Sequence, residues 1–194
     1  MKKIFSIFIL IFALLPTKSI ATTVGQLRDD GIMLYSLNKI EEAKNAFEQI
    51  PDEKKDAEVL LLLSNIAQDM QDTQKVEELL LAAIKEDPKY YKAYYNLGNL
   101  YFNNGKIDDA MKNYKQALKY NNKNSYIYTN LACCYLAKNS LGMAKYYFNK
   151  AADLNPQNPN NYYNLAFIYK QKNNIKKANE LLKIYNDLMA EKIN

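Results

Sequence analysis

Histidine is absent from all 194 residues, and with it go the commonest general base and the commonest metal ligand. Cysteine is limited to the adjacent pair Cys133 and Cys134, which offers no zinc-type spacing. Neighbours on a helix point about 100° apart, so these two thiols cannot bridge each other without breaking the helix. The Ser, Lys and carboxylate side chains that remain form no nucleophile–base motif. No catalysis, cofactor or metal is therefore expected. Arginine occurs once, as Arg28 among 26 basic residues.

A strong charge of either sign is also missing. The formal net charge of +5 includes Lys2, Lys3 and Lys18, and without these three 23 basic residues face 21 acidic ones. So small a surplus does not make a dedicated nucleic-acid surface. Long apolar runs are limited to Ile4–Leu15, twelve residues interrupted only by Ser6. Lys2 and Lys3 precede it, Pro16 ends it, and Ser19-Ile20-Ala21 puts small residues where a signal peptidase reads. This order predicts a cleaved secretory signal over residues 1–21 and an exported protein, periplasmic or extracellular. A twelve-residue helix covers roughly 18 Å of a hydrocarbon core about 30 Å thick, so a permanent anchor is the poorer reading. If the N-terminus is not a signal, an intracellular protein is the alternative.

What is present in quantity is repetition. YYNLGNLY (94–101) returns as YTNLACCY (128–135) and as YYNLAFIY (162–169), at one interval of 34 residues. The interval divides the chain into blocks 57–90, 91–124, 125–158 and 159–194, after a weaker unit over 22–56. Within the second block Tyr94, Leu97, Gly98 and Tyr101, then Ala110, Tyr114, Ala117 and Leu118, recur at helical spacing. NNGK (103–106) separates the two segments, with Gly105 suited to a left-handed residue after a helix end. Each block is read as a helical hairpin. The last helix of the final block runs on, with Lys176, Lys177, Glu180, Lys183 and Asp187 on its outer face.

These residues resemble the tetratricopeptide repeat (TPR) family. Its pattern of a bulky aromatic, Leu-Gly and Tyr, then Ala, an aromatic, Ala and Pro, is met in the third block by Tyr128, Leu131, Ala132, Tyr135, Ala144, Phe148, Ala151 and Pro156. The second block has Asn122 in place of Pro, the fourth has Tyr185 in place of Ala, and the first keeps Leu60, Leu63, Ser64, Ala67, Ala83 and Pro88. Upstream, Gly31, Leu34, Ala43 and Phe47 sit at matching offsets. The resemblance implies an all-α, right-handed solenoid of about five TPR hairpins. It also implies a scaffold binding a protein or extended peptide in a concave groove, here for envelope or secretion-complex assembly.

In such a solenoid the first helix of each hairpin lines the groove, between its own core positions. That assigns Tyr95, Asn96, Asn99, Phe102 and Asn103 to the groove, then Thr129, Asn130, Cys133, Leu136 and Ala137, then Tyr163, Asn164, Phe167, Lys170 and Gln171. Asn96, Asn130 and Asn164 recur in register. One reading has them grip the main chain of a peptide, since an amide both donates and accepts. The other has them serve local packing alone. Cys133 falls in the groove, where a thiol could cross-link a partner, whereas Cys134 falls on the packing side. A Tyr- and Asn-rich groove also suits glycan, and residues 24–56 read alternatively as a dimerisation hairpin.

Overall fold

The computed structural model describes residues 22–191, so the expected signal segment 1–21 and the last three residues lie outside it. The chain forms five antiparallel helix pairs over that range. They are α1 (Val24–Ser36) with α2 (Ile40–Glu48), α3 (Ala57–Asp69) with α4 (Thr73–Glu86), α5 (Tyr91–Asn103) with α6 (Ile107–Tyr120), α7 (Ser125–Ala137) with α8 (Leu141–Leu154), and α9 (Pro159–Gln171) with α10 (Ile175–Glu191). A 3₁₀ turn, Asp52–Lys54, joins the first two pairs. Each second helix packs on the first helix of the next pair, which makes the array an all-α solenoid.

Tight turns close the hairpins by one repeated device. Gln71, Gly105, Asn139 and Asn173 lie 34 residues apart with φ of 62°, 72°, 56° and 57°, and Asn38 with φ of 59° does the same in the first pair. After each, a backbone N–H reaches back five residues, as from Lys106 to the Tyr101 carbonyl at 2.8 Å and from Ser140 to that of Tyr135 at 2.8 Å. This is the Schellman closure, which satisfies carbonyls left open at a helix end. Asn tolerates the left-handed region through its short polar side chain, whereas Gln71 has no such advantage. Helix starts are capped by side chains of Asp56, Asp72, Asn124 and Asn158, the last followed by Pro159 at the first helical position.

Close approach within a pair is set by residues sixteen apart. Gly98 lies under the Tyr114 ring, and a Cβ added there would stand 2.6 Å from Cε1. Gly31 lies under Phe47 in the same way. In the fourth pair Ala132 and Phe148 occupy these positions, and both are fully buried. Tyr94 and Tyr128 repeat another contact, their hydroxyls donating to the carbonyls of Pro88 and Asn122 at 3.2 Å each.

The first pair differs. α2 has 9 residues where α4, α6 and α8 have 14 each, so α3 has less helix to lean on. Arg28 on α1 compensates by bonding Asp56 from Nε at 2.9 Å and Glu58 from its guanidinium terminus. The one arginine in the sequence thus ties α1 to the start of α3.

Candidate binding groove

Successive first helices touch one another directly, α3 with α5 and α5 with α7, which places them on the inner side of the curve. Their exposed faces form a row of hollows. The first, about 500 Å³, is lined by Asn65, Gln68, Asn96, Asn99, Phe102, Asn103, Asn130, Cys133 and the tip of Tyr114. A second of about 520 Å³ shares Phe102 and Cys133 with it and adds Leu136, Leu141, Phe167 and Gln171. A third of about 400 Å³ begins at Phe167 and runs past Tyr163 and Lys170 to α10.

The floor of the first hollow is a row of amides joined across helices. Asn96 donates from Nδ2 to Oδ1 of Asn65 at 3.2 Å, and Asn130 does the same to Asn99 at 2.8 Å. Asn99 Oδ1 also receives the hydroxyl of buried Tyr114 at 2.8 Å, so a core side chain holds the groove amide in place. Burial pushes the Tyr114 phenol well above its ordinary range, which keeps it a donor. A second bond from Asn130 goes to the Tyr95 hydroxyl at 3.3 Å.

The row stops at Cys133. Thirty-four residues separate Asn65 from Asn99 and Asn99 from Cys133, so the thiol occupies the accepting place of the next link. Sulfur is a weak acceptor, and Asn164, the expected donor, turns instead to the Asn160 carbonyl of its own helix at 2.9 Å. Phe167 takes the following place and is 43% exposed. The groove floor therefore changes from amide to apolar between α5 and α9.

Tetratricopeptide repeat family models match residues 91–124, 125–158 and 147–179. The chain is a tetratricopeptide repeat protein. Among solved structures, it is similar to MamA residues 41 to the end from Desulfovibrio magneticus RS-1, with a TM-score of 0.74 and 19% identity over 87% of this chain and 96% of that one. A MamA structure from MSR-1 matches with a TM-score of 0.71 and 24% identity over 87% and 98% of the two chains. YrrB, a TPR protein with an unusual peptide-binding site, matches with a TM-score of 0.70 and 17% identity over 86% and 87%. At these identities the likeness concerns the fold.

Placed on this TPR frame, Tyr95, Asn96, Asn99, Phe102, Asn130, Cys133, Leu136 and Asn164 are half-buried along the first helices, and Asn103, Tyr163 and Phe167 are exposed there. Thr129, expected in the groove, is a correction: it is 9% exposed. Its short side chain sinks between helices and donates to Asn161 Oδ1 at 2.8 Å, whereas at the matching positions Tyr95 is half-buried and Tyr163 exposed. Asn65 and Gln68 of α3 join the groove although sequence reasoning passed over them. The signal for Asn65 was its interval of 34 to Asn99.

Both thiols are free, and burial raises the pKa of each, that of Cys134 to about 12. A thiol so held carries little thiolate, which makes Cys133 a poor nucleophile and a fitting apolar floor. Among the described residues no helix is long and apolar enough to cross a membrane, and no cluster of acidic or thiol groups could hold a metal.

Proposed function

We propose that this TPR protein is a non-catalytic scaffold that holds an extended segment of a partner protein along the groove from α3 to α9. The carrying observation is the half-used amide row. Asn96 keeps its Oδ1 and one N–H outside any hydrogen bond among the described residues, and so does Asn65 its Nδ2. An extended main chain presents alternating N–H and C=O groups, and amides fixed in a row satisfy both without reading side chains. The peptide-binding site of YrrB supports the same use of the fold. The near balance of charge supports a protein partner over a nucleic acid.

Lys2, Lys3, the Ile4–Leu15 run and Ser19–Ala21 support export, and with it a role in assembling envelope or secretion machinery. The mass of the mature N-terminus tests export, since loss of about 21 residues is expected. Groove binding is tested with random dodecapeptides displayed on phage and selected on the immobilised protein. Selected peptides are then titrated against the wild type and a Tyr95→Ala/Asn130→Ala/Phe167→Ala variant. At least tenfold weaker binding to the variant is expected, with circular dichroism showing that it remains helical. Equal affinity for both contradicts the proposal.

A further inference from the structure

We infer that the segment held in the groove is uncharged where it crosses α5 to α9 and carries one bulky apolar side chain, Leu, Met or Phe, that seats between Phe102, Cys133, Leu136 and Phe167. The inference rests on the groove reading above and adds what the groove selects. Three observations carry it.

The first is the break in the amide row. The links Asn65–Asn96 and Asn99–Asn130 give main-chain partners over α3 to α7. At Cys133 the accepting amide is gone and Asn164 is bonded to its own helix. A peptide continuing past α7 meets no paired amides, only Asn139 and Gln171 set among Phe102, Leu136, Leu141 and Phe167, so most of what it gains beyond that point is apolar contact. The second is the shape of that place. Phe102 and Cys133 are shared by both hollows, so the apolar seat of about 520 Å³ opens directly beside the amide floor. Phe167, exposed, and Leu136, half-buried, both line it.

The third is electrostatic. No charged side chain lines either of these two hollows, and Lys170 of α9 enters only in the third, on the other side of Phe167. A charged residue seated in either would give up part of its water and meet no opposite charge, which selects against it. The spacing follows as well. Packed helices lie about 8–10 Å apart and an extended chain advances about 3.3 Å per residue, so one helix step takes about three residues. The apolar anchor therefore lies about three residues from the residue whose main chain meets Asn99 and Asn130.

The test compares two selections from the same dodecapeptide library, one on the wild type and one on Cys133→Asn/Phe167→Asn. The variant gives Asn164 an accepting amide again and removes the aromatic wall. Wild-type binders should share one Leu, Met or Phe with few charges around it, and replacing that residue by Ser should weaken binding at least tenfold. Binders of the variant should show no such enrichment while still needing Asn96 and Asn130. Wild-type binders that depend on Asn96 and Asn130 but carry charges or no common apolar residue overturn this inference and leave the groove reading intact. Binders indifferent to Asn96→Ala/Asn130→Ala overturn both. Thermal melts show that each variant is folded.

Discussion

Asn130 and Asn99 are joined across the space between α7 and α5, Nδ2 to Oδ1, at 2.8 Å. The same Asn99 oxygen accepts from Tyr114, so one amide connects two hairpins and the core of one of them. Asn99 thereby belongs to both the packing and the groove. The two roles separate by energy. Asn130→Ala should lower stability by about 1 kcal/mol, the usual net worth of such a bond. Asn99→Ala should cost about 1–3 kcal/mol, because the buried Tyr114 hydroxyl loses its acceptor. Asn164→Ala should change stability by less than about 0.5 kcal/mol, as expected of a surface site bonded only within its own helix. Urea unfolding of the three variants and of the Asn99→Ala/Asn130→Ala pair checks this ordering, with non-additivity expected for the pair.

Gly98 and Tyr114 predict a second result. Alanine at position 98 places its Cβ 2.6 Å from the ring, so Gly98→Ala should destabilise by about 1–3 kcal/mol through overpacking. Gly142→Ala meets open space near the start of α8 and should stabilise by about 0.4–1 kcal/mol. Opposite signs in thermal melts are the check. Gly98→Ala combined with Tyr114→Leu should recover part of the loss, since the fifth hairpin pairs Ala166 with Leu182 at the same offset.

Gln71 holds a left-handed backbone that its side chain does nothing to favour. That conformation costs an ordinary residue about 1–2 kcal/mol relative to glycine. Gln71→Gly should therefore stabilise by about 0.5–1 kcal/mol, once the greater freedom of the unfolded glycine is subtracted. Gly105→Ala, at the matching turn and with open space around the added Cβ, should destabilise by about 0.5–1 kcal/mol on the same reckoning. Chemical denaturation of both variants decides it.

Alkaline pH should unfold the protein through its tyrosines. The hydrogen bond from Tyr101 to the Glu77 carboxylate at 2.6 Å, aided by burial, pushes the phenol up to about 12. Burial first, then the carboxylates of Glu58 and Asp56, push Tyr90 up to about 12 as well. The folded state thus favours the neutral phenols. Their contribution is fully present below the unfolded value of about 10 and is lost as pH rises towards 12. Denaturation midpoints measured between about pH 9 and about pH 12 should fall, and fall less in Tyr101→Phe. A flat profile contradicts the assignment.

The hairpin repeat was legible because its grammar is steric. Small residues such as Gly98, Ala132 and Ala166 recur wherever two helices close up, and Tyr94 and Tyr128 recur where a ring bonds the preceding turn. Gly105 announced its turn, whereas Gln71 did not, since no local preference marks a glutamine forced to positive φ by its neighbours. The groove was less legible. Asn96 and Asn130 stood out as a column, but their partners lie in a second column, Asn65 and Asn99, and the pairing of residues 31 apart depends on how far one helix is set against the next. Thr129 misled because helical phase gives direction without depth. The Cys133-Cys134 pair, unexplained by spacing alone, now divides into a buried packing residue and the place where the amide row ends.

The most direct test of the account is nuclear magnetic resonance of the ¹⁵N-labelled protein saturated with a library-selected peptide. Side-chain amide signals of Asn96, Asn99 and Asn130 should shift, together with backbone signals around Phe102, Cys133 and Phe167, while those of exposed Tyr126 and Tyr146 stay fixed. Shifts confined to Tyr126 and Tyr146, with the groove amides unmoved, would contradict it.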